Sequence, residues 1–155
     1  MNDDIKAEWV AALRSGDYVQ GNGRLRFYDG RKDQESYCCL GVLCVLAQAA
    51  GVIGPPTKST ITASDDNEDI VYVYKNLDGT RGFIGHLPAD VAEWAEIRDP
   101  VVDIHFDELT DEERAELRSP IVRTTVGLYG AGLATLNDAG VSFSAIAHII
   151  ETSDI

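Results

Sequence analysis

Residues Ser36–Gly51 read SYCCLGVLCVLAQAAG, and the reading of this stretch decides the architecture. Spacing at 3.6 residues per turn puts Cys39, Val42, Leu43, Leu46, Ala47 and Ala50 on one face of a helix. Leu40, Cys44 and Val45 cover another face. A helix that is apolar all round belongs inside a fold. The stretch therefore predicts a buried central helix over 38–50, ended by Gly51. Gly41 lies inside it, where the missing side chain would let another element approach closely.

The same stretch holds all three cysteines. A zinc site needs four ligands, with paired cysteines usually two to four residues apart. Here Cys38 and Cys39 are adjacent and Cys44 lies five beyond Cys39, so the latter two point about 140° apart on a helix. His86, His105 and His148 are scattered. We expect no metal and no cofactor. A second reading makes Cys38 or Cys39 a nucleophile, because a helix N-terminus stabilises a thiolate. His86 would be its base, and the protein a cysteine-dependent hydrolase. We adopt the third reading, core packing, since cysteine is among the most buried residue types.

Working outward, Asp3–Ser15 has Ile5, Trp9, Ala12 and Leu13 at helical spacing, with Gly16 beyond its end. Leu25 and Phe27 alternate with arginines and a tyrosine, as in a short strand between glycine turns. The segment 52–69 contains Pro55 and Pro56 and is expected to be a mobile loop. IVYVYKNLDGTRGFIG predicts a β-hairpin about Asp78-Gly79. Pro88 opens one helix, and a Thr110/Glu113 capping box opens another. Residues 133–152 predict a C-terminal helical hairpin through Gly140, with Ser142 as N-cap and Asn137 and Asp138 serving the turn. The sum is a single α+β domain over 1–155. It is mainly helical, with a small antiparallel sheet around the buried helix.

Charged residues make up 25% of the chain and apolar residues 45%, with a net charge of −13. The charge deepens along the chain, from −1 in residues 1–50 to −5 in 51–100 and −7 in 101–155. Such a surface repels phosphate backbones. The C-terminal helix pair resembles the start of a helix-turn-helix, but the helix that would enter the groove has no residues left to form it. Direct DNA binding is not expected. No apolar run is long enough for a membrane helix, and MNDDIKAEW does not read as a secretory signal. The expected location is the cytoplasm.

Against this acidity, Arg14, Arg24, Arg26, Arg31 and Lys32 cluster between positions 14 and 32. The cluster precedes the buried helix, whose first amides could face an anion. It suggests a nucleotide pocket. Arg24 and Arg26 would hold phosphate, Gln20 would read a polar edge, Tyr28 or Tyr37 would stack on a base, and Cys38 would sit at the helix N-terminus. The competing reading is a solvated edge strand protected by charge.

WVAALRSGDYVQGNGRLR, YCCLGVLCVLA, LPADVAEWA and LATLNDAGVSFSAIAHIIE together resemble a family of small proteins encoded by bacteriophages and prophages. The resemblance leaves out 52–69 and 99–125. It implies a phage accessory protein in a bacterial cytoplasm and supplies no catalytic residues. The resulting expectation is a non-enzymatic protein that binds a host component, most specifically a small anionic signal. Inhibition of a host protein through the acidic surface, as a nucleic-acid mimic, is the remaining alternative.

Overall fold

The computed structural model describes residues 1–62, 68–97, 104, 107–129 and 132–155. Along the chain run α1 (Asp3–Arg14), β1 (Arg26–Asp29), β2 (Gln34–Tyr37), α2 (Cys39–Ala49), β3 (Thr57–Thr62) and β4 (Glu68–Lys75). Then follow β5 (Gly82–Phe83), α3 (Ala89–Trp94), α4 (Asp111–Leu117), α5 (Pro120–Tyr129), α6 (Leu133–Asp138) and α7 (Phe143–Thr152). Helices and one antiparallel sheet make this an α+β fold.

α2 is its centre. Cys39, Val42, Leu43, Cys44 and Ala47 have no exposed surface. α1 crosses it with a fully buried Trp9, whose indole N–H donates to the Cys39 carbonyl at 3.0 Å. Gly41 does what its position suggested. A Cβ there would lie 1.6 Å from the Leu25 carbonyl oxygen, so the main chain entering β1 rests directly on the helix. α7 lies along α1 and shares the core through Ile146, Ile149 and Ile150.

The strands run in the order β2-β1-β4-β3, and β5 also pairs with β4. Phe27 faces Val71 and Tyr28 faces Ile70, while Phe83 faces Tyr74. β1 and β5 thus lie end to end along one edge of β4, joined by a 2.7 Å bond from Leu25 N–H to the Ile84 carbonyl. This register puts Arg26, Glu35, Tyr37, Tyr72 and Tyr74 on one face. Phe27, Asp29, Gln34 and Ser36 fall on the other.

Three elements differ from expectation. The segment 52–69, read as a mobile loop, contains β3 and the first residues of β4, with 63–67 outside the described residues. Thr57, Thr60 and Ile61 are β-branched and fit a sheet edge, which the neighbouring prolines obscured. β2 was hidden because QESY lacks apolar alternation; Asp33, at φ 50°, makes its turn in place of glycine. α5 was missed because Ile121, Val122, Thr124, Thr125 and Val126 lower its helix propensity.

α4 is fastened to α7 by two carboxylates. Glu113 completes the capping box, accepting from Thr110 N–H at 2.8 Å, and also meets His148 Nδ1 at 3.0 Å. Glu116 accepts from both the N–H and the hydroxyl of Ser142, at 2.8 and 3.1 Å. His105 lies outside the described residues.

Candidate functional site

The arginines expected to form an anion pocket are not brought together. Arg24 lies over the Phe27 ring at 5.8 Å, on one face of the sheet. Arg26 lies on the other, 4.0 Å from the centre of the Tyr72 ring and 5.4 Å from that of Tyr37. Its side chain is 22% exposed, and the guanidinium donates to both oxygens of Glu35, at 2.9 and 2.7 Å. The Glu35 carboxylate also accepts from the Tyr37 hydroxyl at 2.9 Å and from the Tyr72 hydroxyl. Burial alone would raise the Glu35 pKa, but the hydrogen bonds from Tyr72, Arg26 and Tyr37 outweigh it and hold the carboxyl below its ordinary value. The same surroundings push the Tyr37 hydroxyl up to about 12, burial first and Glu35 second. Arg26 is therefore neither an exposed edge arginine nor a free phosphate ligand. β2, absent from the sequence reading, supplies the acid that neutralises it.

Gln20 and Tyr28 are also engaged. The Gln20 side-chain amide donates to the Val141 carbonyl at 2.7 Å and to Asn137 Oδ1 at 3.3 Å, and its oxygen accepts from Phe143 N–H at 3.0 Å. Gln20 thereby caps α7 from outside. The Tyr28 hydroxyl donates to Asp33 at 2.7 Å. Tyr37 packs edge-on against Tyr18, with ring centres 5.2 Å apart.

The thiols are not activated. Cys38 is 4% exposed and serves as N-cap of α2 with no side-chain capping bond. Burial pushes its thiol up to about 11, against the lowering effect of the Gly41 and Leu40 amides. The Cys39 thiol is raised well above its ordinary value by complete burial, with the charge of neighbouring Asp138 adding to the effect. The Cys44 thiol is raised too, for the same first reason. The helix N-terminus that was to favour a thiolate is outweighed by desolvation. His86 is exposed, and among the described residues no hydrogen bond joins it to a cysteine. Also among the described residues, no group of three His, Cys, Asp or Glu side chains could hold a metal ion, and no helix is long and apolar enough to cross a membrane.

The residue that organises this region is Asn137, which the sequence reading left in a turn. It is 2% exposed. Its Oδ1 accepts from Cys39 N–H at 3.1 Å, giving α2 the cap that Cys38 does not provide. Its Nδ2 donates to the Gly21 carbonyl at 2.8 Å and to Asp138 Oδ1 at 3.3 Å. The loop before β1, the start of α2 and the end of α6 meet at this one amide.

Beside this junction lies a cavity of about 760 Å³. Leu40 of α2, Leu87, Ala92 of α3, Ile97, Leu133 and Ala134 of α6, and Ile155 make it chiefly apolar. Its polar groups are His86, Thr125, Thr135 and Asp138. Asp138 Oδ1 accepts from Gly23 N–H at 2.8 Å. No lysine or arginine is among the described residues that line it. A second cleft of about 480 Å³ opens on the Phe27 face of the sheet, beside Gln20, Asp29 and Lys32. Its lysine is paired with Asp29 at 3.2 Å.

A family profile, the domain of unknown function DUF8296, spans residues 1–154. The chain belongs to the DUF8296 family. No curated protein and no solved structure matches it. In this DUF8296 chain, the blocks YCCLGVLC and LNDAGVSF, 90 or more residues apart in sequence, are joined through the Asn137 amide. The signal for Asn137 was present, in a polar residue placed between buried Leu136 and a turn. What was missing was its distant partner.

Proposed function

We propose that this DUF8296 chain is a non-enzymatic binding protein whose ligand, a small and largely apolar molecule, occupies the cavity between α2, α3 and α6. The observation behind this reading is the cavity itself. Drug-sized ligand sites are concave, mainly apolar and fixed by a few polar groups, and about 760 Å³ falls within their usual range. The buried, proton-retaining thiols weigh against a cysteine hydrolase. The pairing of Arg26 with Glu35 weighs against a phosphate pocket at β1. Together with the resemblance to phage-encoded proteins, the reading describes an accessory protein that sequesters a component of a bacterial cytoplasm.

The test is native mass spectrometry of protein purified from bacterial cytosol, with Ala134→Phe as the variant that fills the cavity. A small molecule held by the wild type and lost from the folded variant supports the reading. The same molecule held equally by both places the binding elsewhere on the chain.

A further inference from the structure

We infer that the ligand of this cavity is an apolar amine, held by its ammonium group on the carboxylate of Asp138. The inference rests on the cavity being the binding site and adds the charge of what enters it.

Asp138 is the last residue of α6, is exposed to solvent, and lines the cavity. Its Oδ1 is occupied by Gly23 N–H and by Asn137 Nδ2. Those two bonds fix the orientation of the carboxylate. Its Oδ2 has no hydrogen-bond partner among the described residues. An ionised carboxylate oxygen in a fixed orientation is an acceptor for a charged N–H. The described lining holds no lysine or arginine to neutralise it, and the chain as a whole carries −13. A negative field of this kind concentrates cations at the mouth and repels anions. His86 adds an imidazole nitrogen that accepts a further N–H when neutral. Leu40, Leu133 and Ala134 offer no polar partner to the rest of the ligand, and beside the two hydroxyls of Thr125 and Thr135 this lining favours a largely apolar body. The cavity thus selects a cation with an apolar body, the opposite charge to that suggested by the arginine-rich segment.

Three probes with one naphthyl skeleton test this by calorimetric titration: 2-(1-naphthyl)ethylamine, 2-(1-naphthyl)ethanol and 1-naphthylacetate. The amine should bind about tenfold more tightly than the alcohol, the scale of one charge-assisted hydrogen bond. The carboxylate should bind most weakly. Asp138→Asn keeps an acceptor for Gly23 N–H and removes the charge. It should reduce the amine to the level of the alcohol and leave the alcohol unchanged. Ala134→Phe should abolish binding of all three, with Ala92→Leu as a second, smaller filling variant. If the alcohol or the carboxylate equals the amine on wild type, or if the amine keeps its advantage in Asp138→Asn, the charge assignment is overturned while the cavity reading stands. If no probe binds folded wild type, or if the filled variants bind all three unchanged, the cavity reading falls and this inference falls with it.

Discussion

The sheet face around Arg26 and the cavity beside Asp138 both place charged and aromatic or apolar groups near the first turn of α2, yet one is closed and the other open. At Arg26 the terminal guanidinium nitrogen and two tyrosine hydroxyls converge on one acceptor, although Arg26 Nε and the Tyr74 hydroxyl are buried without a partner among the described residues. Glu35 takes the guanidinium and two tyrosine hydroxyls at once. At Asp138 an exposed carboxylate is half used, beside a chiefly apolar cavity. A concentration of chemically capable residues therefore does not mark a site. By our proposal, unused hydrogen-bonding capacity facing a cavity does.

The closed side should be costly to disturb, and the steepest cost belongs at Gly41. Gly41→Ala must displace the Leu25 main chain and should lose about 3 kcal/mol of stability, the upper part of the range for overpacking. Urea unfolding measures this; a loss under about 1 kcal/mol would mean that the crossing has room to give.

Next comes Glu35→Ala, which leaves Arg26 and two hydroxyls without their acceptor. We expect a loss of about 2 kcal/mol, discounted from a fully buried pair because both side chains keep partial exposure. The same carboxylate gives a pH signature. Its folded pKa lies below 4.5, so its contribution is complete above the unfolded value and disappears as pH falls through the folded value. The stability gap between wild type and Glu35→Gln should therefore narrow as pH falls through and below the ordinary glutamate range. A gap that stays constant over that window would break the assignment of Glu35 as the ionised centre of the cluster.

The open side should tolerate change. Ala134→Phe fills volume rather than creating strain and should shift stability by less than about 1 kcal/mol in either direction. A loss as large as that at Gly41 would show the cavity to be smaller than its geometry indicates. The smallest effect is expected at Arg24→Ala, less than about 0.5 kcal/mol, because its visible contact is a ring at 5.8 Å.

How much of this was legible in the sequence follows from the range of each interaction. The apolar run of α2, the Thr110/Glu113 box and the Ser142 cap are local patterns, and each appears where its spacing put it. Gly41 was legible as a close approach, but not as an approach by Leu25. The fate of Arg26 was not legible, because it depends on a strand with no apolar alternation that returns nine residues later carrying Glu35. The thiols misled for a related reason. A helix N-terminus can be read from a sequence, whereas the desolvation that overrides it depends on everything packed around it. Asn137 and Asp138 looked like turn residues because their partners, Cys39 and Gly23, lie about a hundred residues upstream.

The Asn137 cap on α2 also bears on how the chain is made. Cys39 leaves the ribosome 98 residues before the amide that satisfies it. α1, synthesised first, likewise lacks α7, the surface along which it lies. The most apolar helix of the protein is thus translated early and completed late, with non-local contacts as its final step. At ordinary rates of elongation, roughly 5–20 residues per second, that interval is about five to twenty seconds. For that time SYCCLGVLCVLA lacks the Asn137 cap, and a truncation just before Leu133 would make that lack permanent.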